Sequence, residues 1–152
     1  MEAISVRSAT EADLPAILQI QRDSSTAAQW PVGSYEEAIR QDTRLVLVAE
    51  QSGQILGFLV ASTATEEWEL ENIAVGLSWR RQGIGRALLQ ALIRRAQDSR
   101  ASEIRQEIRA SHLAAQQTGQ AVGFVQVGRR KGYYRDPDED ALLFNYLLTT
   151  SK

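Results

Sequence analysis

The stretch "RRQGIGRALLQAL", from Arg80 to Leu92, sets two glycines between arginines at the start of an apolar pattern. Ile84, Ala87, Leu88, Ala91 and Leu92 recur at the spacing of one helical face, with Arg86, Gln90 and Arg94 opposite. The first turn of a helix leaves N–H groups unpaired and carries partial positive charge. Gly83 and Gly85 have no side chains to hold a ligand off those groups, and Arg81 and Arg86 add full charges. This chemistry suits an anion, most naturally a phosphate or pyrophosphate. A plain strand-to-helix turn beside two solvated arginines has equal standing on these residues alone. Two familiar phosphate loops are excluded. Gly85 is followed by Arg86 and Ala87 rather than Lys-Ser/Thr, and Leu88 stands where a dinucleotide fingerprint needs a small residue.

Composition narrows the chemistry further. The 152 residues match one domain with a proper core, and the net charge of −2 does not mark a nucleic-acid binder. Glu2, Arg7, Glu11 and Asp13 interrupt the amino terminus, so it is not a signal peptide, and no apolar run reaches membrane-spanning length. A cytoplasmic protein without membrane contact is expected. The chain has no cysteine, which removes disulfides, thiolate metal sites and an acyl-cysteine intermediate. His112 is the only histidine, so a multi-histidine metal site is not expected.

The elements that must position the glycine loop alternate between strands and helices. "ISVRSA" reads as a first strand, and Thr10 with Asp13 as a capping pair before a helix carrying Leu14, Ile17 and Leu18. Ser34 and Glu37 read as a capping box before a short helix through Ile39. "RLVLVAE" and "ILGFLVAS" flank "QSGQ" as a β-hairpin, and "WELENIAV" is a fourth strand leading into the loop and the long helix. "EIRQEIR" alternates as a fifth strand, a helix is expected near 112–122, and strands follow around "FVQVGRR" and "ALLFNYLL". Hairpins mixed with strand-helix crossovers indicate an α+β sheet domain.

The ordered set "NIAV", "RRQGIGRALL", "EIRASH", Gly123–Phe124, "RRKGYY" and "EDALL" spans most of the chain. In it the chain resembles the GCN5-related N-acetyltransferases, and within them the enzymes that acetylate protein amino termini, a ribosomal protein's alanine among the acceptors. The resemblance implies a single GNAT domain over residues 1–152, a mixed and mostly antiparallel sheet of about seven strands flanked by about four helices. It implies acetyl-CoA as co-substrate, no metal, a protein amino terminus as partner, and a monomer or weak dimer.

Carried onto this chain, the resemblance has Arg81, Gln82, Gly83, Ile84, Gly85 and Arg86 hold the pyrophosphate of acetyl-CoA through backbone amides. Ile73, Ala74 and Val75 would pair with the pantetheine arm and polarise the thioester carbonyl. Glu107 stands where the family has its general base; on the residues alone it is an exposed strand glutamate beside Arg105 and Arg109. Glu69 and Glu71 are weaker candidates for orienting the amine and read first as solvated. Tyr133 and Tyr134 match tyrosines lining the peptide groove of relatives, and strand alternation turns one of them into the core. Trp30 falls where relatives shape the acceptor entrance, and a packed loop anchor is an equal reading. Arg129, Arg130, Lys131 and Arg135 could pass for an RNA patch but read as a solvated edge.

Two positions depart from the family. Relatives carry Asn in place of His112, where it contacts CoA; a ring nitrogen of His112 can donate a comparable bond, and a helix-start residue without ligand contact is an equal reading. The family's general-acid tyrosine aligns with Gly119 in "QQTGQAVGF". Its absence keeps open an acetyl-CoA-binding sensor domain without turnover, and transfer to a small amine is a further alternative. A tyrosine restored at Gly119 is expected to raise turnover and stability if Thr118 leaves room.

Overall fold

The computed structural model describes residues 3–135 and 137–148. Seven strands and four α-helices follow in order: β1 (Ser5–Ser8), α1 (Leu14–Arg22), α2 (Val32–Arg40), β2 (Arg44–Gln51), β3 (Gln54–Ser62), β4 (Glu67–Val75), α3 (Ile84–Asp98), β5 (Glu103–Arg109), α4 (Leu113–Val122), β6 (Val125–Tyr134) and β7 (Glu139–Leu147). They build one sheet of order β1-β2-β3-β4-β5-β7-β6, antiparallel throughout except between β4 and β5. The α+β expectation holds, with the expected numbers of strands and helices.

Local chemistry accounts for most element ends. Ser52 and Gly53 both have positive φ, 51° and 78°, the pair of left-handed residues that a tight hairpin turn requires. Asp13 accepts the Thr10 N–H at 2.8 Å, so the capping pair forms, at a short 3₁₀ turn (Glu11–Asp13) that runs into α1. The second cap is a correction. Pro31, extended at ψ 156°, caps α2, its carbonyl accepts the Ser34 N–H at 3.0 Å, and Ser34 lies inside the helix.

Two apolar layers sandwich the sheet. On one face, Leu88, Leu92 and Ala96 of α3 pack on Leu47, Leu59 and Ile104; on the other, Ile17 and Tyr35 of α1 and α2 pack on Val48, Phe58 and Val60. Strand β4 serves both layers through one irregularity. Val60 opposes Asn72 but Ala61 opposes Leu70, which leaves Glu71 as an extra residue. Such a bulge shifts the side-chain alternation by one and twists the strand. Trp68 and Leu70 therefore face α3, whereas Asn72 and Ala74 face α1 and α2, and Ile73 and Val75 turn back to the α3 side.

Candidate active site

The parallel pairing of β4 with β5 covers only Glu67–Leu70 against Glu103–Gln106. Beyond Leu70 and Gln106 the strands part. On their outer sides both remain paired, β4 with β3 as far as Val75 and β5 with β7 as far as Arg109. The gap thus bares the β5-facing edge of β4 around Ile73, Ala74 and Val75, and Glu107 is the first residue past the split on β5.

At the wide end of the gap lies the glycine loop. Gly83 caps α3 at φ 84°, a left-handed conformation that favours glycine, and Arg81 adds another at φ 62°. The first intrahelical bond runs from Ala87 N to Gly83 O at 3.0 Å, so Ile84, Gly85 and Arg86 keep N–H groups with no partner inside the helix. A Cβ at Gly83 would meet nothing within 4 Å, so the approach is open. Arg81, Gln82 and Arg86 are exposed around it, and the Gln82 amide donates to the Ser78 carbonyl at 3.4 Å. These residues fit a pyrophosphate. Gly85 faces the meeting point of three elements, since a Cβ there would lie 3.6 Å from Thr118 Cγ2 on α4 and 3.9 Å from Val75 Cγ2 on β4.

His112 caps α4 on the same side, half-buried. Burial chiefly, and then the positive charge of Arg80, lowers its pKa, so the ring is neutral at neutral pH. Arg80 itself donates to the Val75 carbonyl at 3.2 Å.

The opposite face holds the carboxylate. Ile104, Gln106 and Ile108 bury the α3 side of β5, so alternation turns Glu107 toward the side of Asn72 and Ala74. Its ion-pair partner is Arg130 on β6, at 3.6 Å, rather than a strand neighbour. Arg109 pairs with Glu139 at 3.0 Å, and Arg105 pairs with Glu67 and Glu103. Glu71 is not solvated as expected, for the bulge presents it to Arg44 at 2.5 Å; Glu69 is exposed.

Tyr133 and Tyr134 correct the alternation argument. The β6–β7 register breaks between Arg130 and Tyr134, with Gly132 at φ 60°, so the two rings meet edge to face at 5.2 Å instead of pointing apart. Neither enters the core: Tyr133 is exposed and Tyr134 half-buried, with Arg109 over its ring at 4.3 Å. Burial, and next the charge of Glu107, raises the Tyr134 pKa and keeps the phenol protonated. Arg129, Lys131 and Arg135 are exposed along the sheet edge, Arg129 beside Asp140 and Arg135 beside Asp138.

Gly119 is buried where α4 meets β5. A Cβ there would make ordinary contacts, 3.6 Å from Gln106 Oε1 and from Phe124 Cβ, while the Thr118 hydroxyl donates to the Ala114 carbonyl. Phe124 and Gln106 thus border the position.

Trp30 is the anchor of its loop as well as a lining residue of a surface pocket of about 260 Å³ with Pro31, Ser34, Glu37 and Arg44. What the sequence reading missed is the set that anchors it: Gln21, Tyr35 and Asn72, all buried. One signal was present. Gln21 lies on the stripe of Leu14 and Ile17, where a polar residue needs a partner.

Residues 14–124, which take in the split strand pair, the N–H-rich loop and Glu107, match the model of the acetyltransferase (GNAT) family. The chain belongs to that family and is an acetyltransferase. It is 32% identical over 142 residues to the [ribosomal protein bS18]-alanine N-acetyltransferase of Escherichia coli (strain K12), covering 91% of this chain and 94% of that one. It is 27% identical over 145 residues to the N-alpha-acetyltransferase RimI of Mycobacterium tuberculosis, with 92% and 90% covered. The crystal structure of the Escherichia coli ribosomal-protein-S18-alanine N-acetyltransferase superposes with a TM-score of 0.88 at 28% identity, over 99% of this chain and 97% of that one. No helix among the described residues is long and apolar enough to cross a membrane.

Proposed function

We propose that this acetyltransferase moves the acetyl group of acetyl-CoA to the α-amino group of a protein amino terminus, with Glu107 as general base. The names of its relatives make an alanine terminus of ribosomal protein bS18 the first acceptor to test. The observation that carries the reading is the position of Glu107, one residue past the split and on the face that α1 and α2 leave open.

The α-ammonium has a pKa of about 8, so at neutral pH most acceptor is protonated and cannot attack. Glu107 takes a proton, directly or through one water. The amine then attacks the thioester carbonyl, whose oxygen is polarised by backbone N–H along Ile73–Val75; one such donor is worth roughly 3 kcal/mol. The C–S bond breaks with its electron pair going to sulfur, the nitrogen loses its second proton, and the thiolate takes one from solvent. By analogy with cysteine that thiol has a pKa of about 8.5, so it leaves without a tyrosine acid at reduced rate. Arg130 competes only weakly for Glu107, because 3.6 Å is longer than a hydrogen bond and the two side chains are 55% and 28% exposed.

The test is release of free thiol from acetyl-CoA with an alanine-starting peptide, in wild type and in Glu107→Gln. The substitution keeps size and removes the base, so the rate at pH 7 should fall by roughly 10²–10⁴, with the deficit shrinking at high pH. Full activity of the variant at pH 7 refutes the base. The glycine at position 119, which offers no acid to the departing thiolate, favours a second reading, an acetyl-CoA-binding domain without turnover. It is established instead if acetyl-CoA stabilises the protein yet no peptide or small amine releases thiol.

A further inference from the structure

The loop between α1 and α2, residues 23–31, lies over β4 beside the split. Surface connections of this kind are ordinarily mobile. This one is held from beneath by three buried side chains on three elements. Asn72 Oδ1 accepts the Ala28 N–H at 3.1 Å, and its Nδ2 donates to the Ala28 carbonyl at 3.0 Å and to the Tyr35 hydroxyl at 3.2 Å. The Tyr35 hydroxyl donates to Gln21 Oε1. That oxygen also accepts the Trp30 N–H at 3.1 Å, and Gln21 Nε2 donates to the Trp30 carbonyl at 2.7 Å. Asn72 and Gln21 thus each grip both backbone groups of one loop residue, as a neighbouring strand would. Tyr35 joins the two grips and packs against Trp30, the ring centroids 5.4 Å apart and the planes tilted by 31°.

A buried polar set of this kind gives little net stability over apolar side chains of equal volume, but it fixes position. The position fixed here is specific. Asn72 immediately precedes Ile73 on the bared edge, and the bulge at Glu71 is what turns it toward the loop. We propose that Asn72, Tyr35 and Gln21 are positioning residues that hold loop 23–31 as a rigid wall of the acceptor channel, at a set distance from the acetyl-bearing strand. A wall that cannot retreat admits amino termini with small first side chains, such as alanine or serine, and rejects bulky ones. This rests on the amino-terminal acceptor reading above.

The test uses Tyr35→Phe and Gln21→Leu, both off β4, together with Asn72→Leu. Steady-state kinetics with alanine- and leucine-starting peptides should show the acceptor KM for alanine raised roughly ten-fold, and the alanine-over-leucine preference lowered by a similar factor. The KM for acetyl-CoA should stay within about two-fold, and the Tyr35→Phe/Gln21→Leu double variant should be no worse than its worse parent. Amide exchange should quicken at Ala28 and Trp30 while α3 stays protected, which also certifies folding; if Asn72→Leu does not fold, the other two carry the test. Faster loop exchange with unchanged acceptor KM and preference overturns the wall. Equal losses for both substrates reduce the network to a merely structural role and overturn it too. A wild-type protein that turns over no amino-terminal peptide overturns the acceptor reading, and this inference with it.

Discussion

Replacing each loop glycine by alanine should move stability in opposite directions while weakening the same ligand. At Gly83 the backbone sits at φ 84°, where a side chain costs about 1–2 kcal/mol, although an added Cβ touches nothing. At Gly85, inside the first turn of α3, the added Cβ makes ordinary contacts at 3.6 Å to Thr118 and 3.9 Å to Val75. There the gain in helix propensity is up to about 1 kcal/mol. For a chain of this size each kcal/mol moves Tm by roughly 2–4 °C. The free Gly83→Ala protein should therefore melt about 2–8 °C lower, and the free Gly85→Ala protein up to about 4 °C higher. Acetyl-CoA at about 100 times its Kd should stabilise the wild type by about 2.7 kcal/mol, or roughly 5–11 °C. Both variants should lose most of that shift, because each methyl stands where the pyrophosphate or the pantetheine arm must come close to backbone. Differential scanning fluorimetry with and without acetyl-CoA reads all of these shifts. A ligand shift intact in both variants refutes the anion site, whatever the free proteins do.

Gly119→Tyr should lower stability by roughly 1–3 kcal/mol in chemical denaturation, by overpacking a buried position bordered by Phe124, which is 2% exposed; a more stable variant would show that the position has room. His112→Asn should flatten the pH dependence of stability between pH 7 and 5. The folded protein holds this imidazole below its usual pKa, so below about 6.5 the unfolded chain binds more protons and wild-type stability falls, a slope that asparagine removes. Parallel slopes for the two proteins in urea titrations would refute it.

Much of the fold was legible because its signals are local. The hairpin at Ser52–Gly53, the apolar stripe of α3 and the alternation of β5 each sit within a dozen residues of sequence and obey one period. Two of the failures share a cause, which is that a single residue reset the period. The extra residue at Glu71 turned Asn72 and Ala74 to the other face, a change that alternation counted from Trp68 does not foresee, and so Asn72 drew no role. A second reset between Arg130 and Tyr134 put the two tyrosines together. The helix cap was misread because Pro31 begins α2 without a side-chain oxygen, and Ser34–Glu37 offered a more familiar pattern. For Gly119, sequence named the missing group but not its neighbours; Gln106 and Phe124 become adjacent only when β5 and α4 pack.

The short union of β4 and β5 has a mechanical meaning. Four rungs, Glu67–Glu103 through Leu70–Gln106, are all that joins the β1–β4 plate to the β5–β7 plate within the sheet. The backbone that polarises the carbonyl would ride on one plate, and Glu107 rides on the other. The bulged Glu71, tied to Arg44, stands on the first plate directly after the last rung. A substrate arm paired along Ile73–Val75 would take the place that β5 vacates, and would span the two plates as a strand of its own.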